Sequence, residues 1–101
     1  MKLNIGDKVI LQTFLGIKIP NDNNIDPQEN YWKLVGCTGK VVEAKEKPHP
    51  AFPDKGLQLL VKFDNSILDL NLISHNNITN TLWIFETDLS LDNSATLLTN
   101  N

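Results

Sequence analysis

The sequence predicts an all-β fold, a small barrel of five or six short strands interrupted by two long loops. Three observations carry this expectation. The stretch from Leu34 to Glu43, Leu-Val-Gly-Cys-Thr-Gly-Lys-Val-Val-Glu, sets two glycines ahead of a β-branched pair, the pattern of a tight turn feeding a strand. Leu57 to Asp64 alternates, Leu59, Val61 and Phe63 against Leu60, Lys62 and Asp64, as a strand does. No stretch beyond about ten residues sustains helical periodicity.

The 101 residues amount to one domain. A chain of this size buries roughly two thirds of its unfolded surface, enough for a core without staples. The barrel is expected over residues 1–91, with a polar C-terminal tail over 92–101. Net charge is −3, and every cationic side chain is lysine. Arginine is the usual residue for clamping phosphate and for bidentate reading of guanine, so its absence beside an acidic excess argues against nucleic-acid binding. Cys37 is the single cysteine, which excludes an intramolecular disulfide. The opening residues carry no long apolar stretch of the signal-peptide type, and no apolar run approaches the roughly 18 residues of a membrane span. A cytoplasmic location is the expectation.

In chain order, Asn4-Ile5-Gly6-Asp7 is turn chemistry leading into a first strand, Lys8 to Gln12, which Thr13 to Gly16 extends with Phe14 on one face. Residues 17–33 form the first long loop. Pro20 and Pro27 remove backbone donors, Asp22, Asp26 and Glu29 make the segment acidic, and Tyr31-Trp32 follow at once. Gly36 and Gly39 are expected in turn or bulge conformations ahead of the second strand, Lys40 to Ala44. The second long loop, Lys45 to Gly56, holds three prolines around His49 and Phe52 and is stiff and extended. After Leu57–Asp64, Ile67 to Ile73 again alternates, so Leu68, Leu70 and Leu72 are expected on the core face of a further strand. Leu82 to Glu86 is a short β-prone strand, Glu86 to Asp88 a single turn, and Leu89 to Leu91 a last edge strand. The core is expected to gather Val9, Val41, Leu59, Val61, Phe63, Leu70 and Ile84.

Catalytic patterns are thin. Asp64 and Asp69 flank a turn within reach of His75, yet acid–base chemistry needs two groups whose environments separate their pKa values, and a turn cap is the commoner role. A Cys37–His75 dyad lacks an orienting third group. One cysteine and two isolated histidines do not make a metal site, and the two glycines lack the following helix of a phosphate cradle. No catalytic residue, metal or cofactor is expected. What a barrel does not need in order to fold is the pair of long loops. Asp22, Asp26, Glu29, Tyr31, Trp32 and Phe52 are therefore the candidate partner-binding residues: the aromatics as contact anchors, the carboxylates as steering charges for a basic protein surface.

The order of signals carries a resemblance. Gly6-Asp7-Lys8-Val9, a long loop, Gly36-x-x-Gly39-Lys-Val-Val, Leu60-Val-Lys-Phe-Asp64 and Glu86-Thr-Asp88-Leu89 together resemble SH3-like small barrels, such as the KOW-type domains and the small accessory barrel of photosystem I, over about residues 5 to 91. Members of this fold class bind proteins, peptides or RNA. The resemblance thus implies a binding module. With the acidic charge, the expectation is a non-enzymatic protein-binding domain, of which an acidic inhibitor such as a toxin immunity protein is one form. An RNA- or DNA-binding KOW-like module and a small enzyme subunit are the alternatives.

Overall fold

A computed structural model describes residues 3–20, 24–65, 67–74 and 76–92. The fold is all-β. Strands β1 (Lys8–Leu11), β2 (Thr38–Ala44), β3 (Gln58–Phe63), β4 (Thr81–Phe85) and β5 (Leu89–Leu91) form one antiparallel sheet in the order β4-β3-β2-β1-β5. Short 3-10 turns punctuate the connections, among them Pro27–Glu29, Tyr31–Leu34, Leu68–Leu70 and Glu86–Asp88.

The expected barrel does not close. No ladder joins β4 to β5 among the described residues, and these strands are the two edges of the sheet. The sheet is nonetheless strongly curved. Only the turn Glu86–Asp88 separates Phe85 from Leu89, and four residues span at most about 14 Å. Five flat strands would hold the outer two about 19 Å apart. The edges come near one another without pairing among the described residues.

The core lies inside this curve. Val9, Leu11, Leu34, Val41, Leu59, Val61, Phe63, Ile67, Leu72, Ile84 and Leu89 are all buried together, and Leu70 packs against them. The alternation of β3 accounts for its share: Leu59, Val61 and Phe63 point inward. β3 also buries Leu60, which faces the other way. Leu60 and Phe85 lie outside the main core cluster, so the convex face carries a second small apolar group. The apolar run Leu59-Leu60-Val61 is the part of β3 covered on both sides.

Gly36 and Gly39 serve different ends. Gly36 has φ +91°, which turns the chain into β2 as expected. Gly39 lies inside β2, between Val9 and Phe63. A Cβ there would sit 2.7 Å from the Lys62 carbonyl oxygen and 2.8 Å from Val61 Cγ1. Space, not a turn, demands glycine. The irregularity in the β2–β3 register falls instead between Val41 and Glu43.

Residues Ile67 to Ile73 do not form a strand. Leu68–Leu70 is a 3-10 turn, ended by Asn71 with φ 60°. The Ile67 carbonyl accepts from both Leu70 and Leu72, and the Ile67 N–H donates to Asn80 Oδ1 at 3.2 Å. This winding replaces the period of two with another sidedness. Ile67 and Leu72 go inward, and Leu68 is left 65% exposed. Alternation over seven residues does not distinguish a strand from a tight coil whose ends are both buried. Of the tail, Asp92 alone is described, its N–H donating to the Lys8 carbonyl at 2.9 Å; residues 93–101 lie outside the described residues.

Candidate binding surface

The turn from Gln12 to Gly16 is built on Asp88. The Asp88 carboxylate is 1% exposed. It accepts from Thr13 Oγ1 at 2.6 Å, the Gly16 N–H at 2.9 Å and the Leu15 N–H at 3.1 Å. Its backbone carbonyl takes the Gln12 N–H at 2.8 Å. Leu15 and Gly16 both have positive φ, 54° and 84°, and Phe14 and Ile17 exchange backbone hydrogen bonds across them. This is the geometry of a two-residue hairpin turn of the I′ type. Leucine is a poor residue for that conformation, and the carboxylate that receives both N–H groups holds it there. The strand expected to extend to Gly16 therefore ends at Leu11, and Phe14 begins a turn.

Phe14 is the floor on which the two loop aromatics rest. Its ring lies 5.0 Å from Trp32, edge-on, and 5.6 Å from Tyr31. Trp32 Nε1 donates to the Ile17 carbonyl at 3.1 Å, and the Tyr31 hydroxyl donates to the Ile73 carbonyl at 2.6 Å. Both side chains are half-buried, and their polar ends are committed within the fold. Burial, and then the carboxylates of Glu29 and Asp26, push the Tyr31 hydroxyl above its ordinary pKa. Asp26 is exposed and caps the turn Pro27–Glu29 by accepting from the Gln28 N–H at 2.9 Å; Glu29 stands exposed at the end of that turn. Asp22 lies outside the described residues. The loop thus divides: aromatics turned inward as fasteners, acids outward.

Phe52 belongs to a different part of the surface. It is 44% exposed and stacks with His49 at 5.5 Å and Phe85 at 5.6 Å. The proline-rich loop folds its two rings over the end of β4. Next along the convex face, Trp83 carries Lys45 Nζ 4.5 Å above its ring, within cation–π range. Glu43, Leu60, Ile78 and Trp83 line a cleft of about 230 Å³ there. Trp83 is not among the surface residues expected from the sequence. The signal was present in Leu82-Trp-Ile-Phe, where Trp83 is out of phase with the core positions Leu82 and Ile84.

A second feature of the convex face follows from register. Lys8 lies opposite Lys40, and Lys40 opposite Lys62, all exposed. Opposed like charges destabilise a sheet, and no ion pair to these three lysines is found among the described residues.

Asp64 accepts from Thr38 Oγ1 at 2.6 Å, tying β2 to the end of β3. Cys37 is half-buried, and burial raises its thiol pKa, the opposite of an activated nucleophile. His75 lies outside the described residues. Comparison with models of protein families, with curated proteins and with solved structures finds no match to this chain.

Proposed function

We propose that this chain is a non-enzymatic protein-binding domain of the SH3-like kind, which engages a basic protein surface through the acidic loop, as an immunity-type inhibitor of a basic toxin does. The supporting observation is the way that loop is held. Tyr31, Trp32 and Phe14 fasten it to the body of the domain, while Asp26 and Glu29 are carried outward on a capped turn. A turn held before binding loses little freedom on association, so Asp26 and Glu29 act at low entropic cost. Phe52 extends the same function on the proline-rich loop as an exposed ring in a stiff segment.

The lysine row favours a second reading, binding of single-stranded nucleic acid on the convex face beside Trp83. One set of titrations separates the two. The basic protein encoded beside this chain's gene, where there is one, is titrated against wild type and the Asp26→Asn, Glu29→Gln double variant. The acidic-loop reading predicts slower association and a flatter salt dependence in the variant, because rim charges govern encounter. Unchanged association would remove the loop from the interface. The nucleic-acid reading predicts affinity for an oligonucleotide that falls with salt by a log–log slope of about −2, for three neutralised phosphates, and is lost on Lys40→Glu.

A further inference from the structure

The cleft on the convex face has an indole at one end and a carboxylate at the other. Trp83 of β4 and Glu43 of β2 both line it. Register sets them in one row across the sheet, with Leu60 of β3 paired to Glu43 on one side and to Trp83 on the other. Two strand spacings, about 10 Å, separate the outer two. Leu60 is buried and gives the cleft an apolar floor, and Ile78 stands beside it, 38% exposed. The Glu43 side chain is exposed and has no hydrogen-bond or ion-pair partner among the described residues. The neighbouring row on the same face is cationic: Lys62, two residues along β3 from Leu60, lies opposite Lys40. A third ammonium, Lys45 Nζ, rests 4.5 Å above the Trp83 ring.

We propose that this cleft takes one guanine of a single-stranded nucleic acid, stacked on Trp83 with its Watson–Crick edge toward Glu43. The inference rests on the nucleic-acid reading above and adds to it a choice of base. A carboxylate accepts hydrogen bonds and cannot donate them. Guanine presents two adjacent donors, N1–H and the N2 amino group, which match the two carboxylate oxygens as a pair of charge-assisted bonds. Cytosine and adenine each set one amino group beside an acceptor nitrogen. Uracil and thymine hold their N3–H between two carbonyl oxygens, which the carboxylate repels. The flanking phosphates go to Lys62 and Lys40. Lys45 holds the ring until the base arrives. A cation–π contact at an exposed site is weaker than a stacked base, so the base displaces the ammonium, which is then free for a phosphate.

Fluorescence anisotropy with end-labelled hexanucleotides, as RNA and as DNA, tests this at about 20 mM salt, where phosphate contacts are strong. A uridine hexamer carrying one central guanosine should bind about tenfold or more tightly than the all-uridine hexamer, the discrimination expected of one bidentate pair. The DNA counterparts, with thymidine for uridine, should show the same preference in whichever backbone binds. Inosine in place of the guanosine lacks only the N2 amino group and should lose most of that preference. Glu43→Ala should bring the two hexamers to within about twofold of each other without weakening the all-uridine one. In NMR spectra the Lys45 side-chain methylene resonances, shifted upfield by the indole, should return to ordinary positions as the guanosine hexamer binds. Equal affinity for the two hexamers in the wild type, or a guanine preference that survives Glu43→Ala, overturns the base choice and leaves the nucleic-acid reading standing. Lys45 resonances that stay in place during binding overturn it as well, since the ring is then not the stacking surface. Absence of salt-dependent binding to every hexamer removes both readings together.

Discussion

Asp88 shows how one residue fixes a long segment. Its carboxylate collects a hydroxyl and two backbone N–H groups from Thr13 to Gly16, and a buried donor stripped of its acceptor costs about 1–3 kcal/mol. Asp88→Ala strips the acceptor from three donors that are only partly buried. It should destabilise the fold by about 1–3 kcal/mol in urea denaturation and release the Leu15–Gly16 turn, seen as loss of protection at their amides. A stability change within experimental scatter would mean that water replaces the carboxylate at no cost. At Tyr31, the raised pKa sets a direction with pH. The protonated hydroxyl is favoured in the folded chain, so the stability linked to it is fully present below the unfolded value of about 10 and is lost as pH rises through the folded value. The chain has one tyrosine, so tyrosinate absorbance follows this group alone. Its midpoint should lie above 10 in native protein and fall to about 10 on denaturation; equal midpoints would contradict the burial. Neither role was legible in the sequence. Asp88 looks like any acid in a turn, and its partners lie more than 70 residues away in the chain.

Among elements, strands were legible where one face is wet and the turn chemistry is local. β2, β3, β4 and β5 fall within two residues of their expected bounds, because alternation and flanking glycine or asparagine act over a few residues; β1 starts at Lys8 as expected but stops at Leu11, short of the extension expected to Gly16. Ile67–Ile73 was not, since its alternating leucines serve a coil pinned by Asn80 from beyond the next loop. The acidic, aromatic loop was legible as an unusual segment, but its division of labour was not. Aromatic residues in a long loop suit an interface and a fastener equally well, and only the partners of their polar atoms tell the two apart. Because Trp32 is tied to Ile17 and Phe14, Trp32→Ala should cost about 2 kcal/mol, less than the range for a fully buried ring. For a domain of this size that lowers the melting temperature by roughly 8–16 °C. An unchanged melting temperature would return Trp32 to the role of a contact residue.

At the scale of the whole molecule, charge is sorted by position. The acids of the loop and the lysines of the convex face lie on separate elements, so a net charge of −3 describes neither surface. The all-β class followed from short alternating segments and the absence of any long helical stripe. Barrel closure did not follow, because it depends on the curl of the whole sheet, which is not a property of any one segment. The place of β1 in the sheet order has a consequence for biosynthesis. β1, the first of the described strands, is an interior strand: one neighbour, β2, is translated soon after it, whereas the other, β5, is the last of the described strands. At about 5–20 residues per second, the roughly 80 residues between them take about 4–16 s to synthesise. Throughout that interval the growing polypeptide displays on that strand edge the backbone groups of Lys8, Ile10 and Gln12 that β5 and its flanks take up in the finished domain, which marks the nascent chain, more than the finished domain, as the species in need of a chaperone.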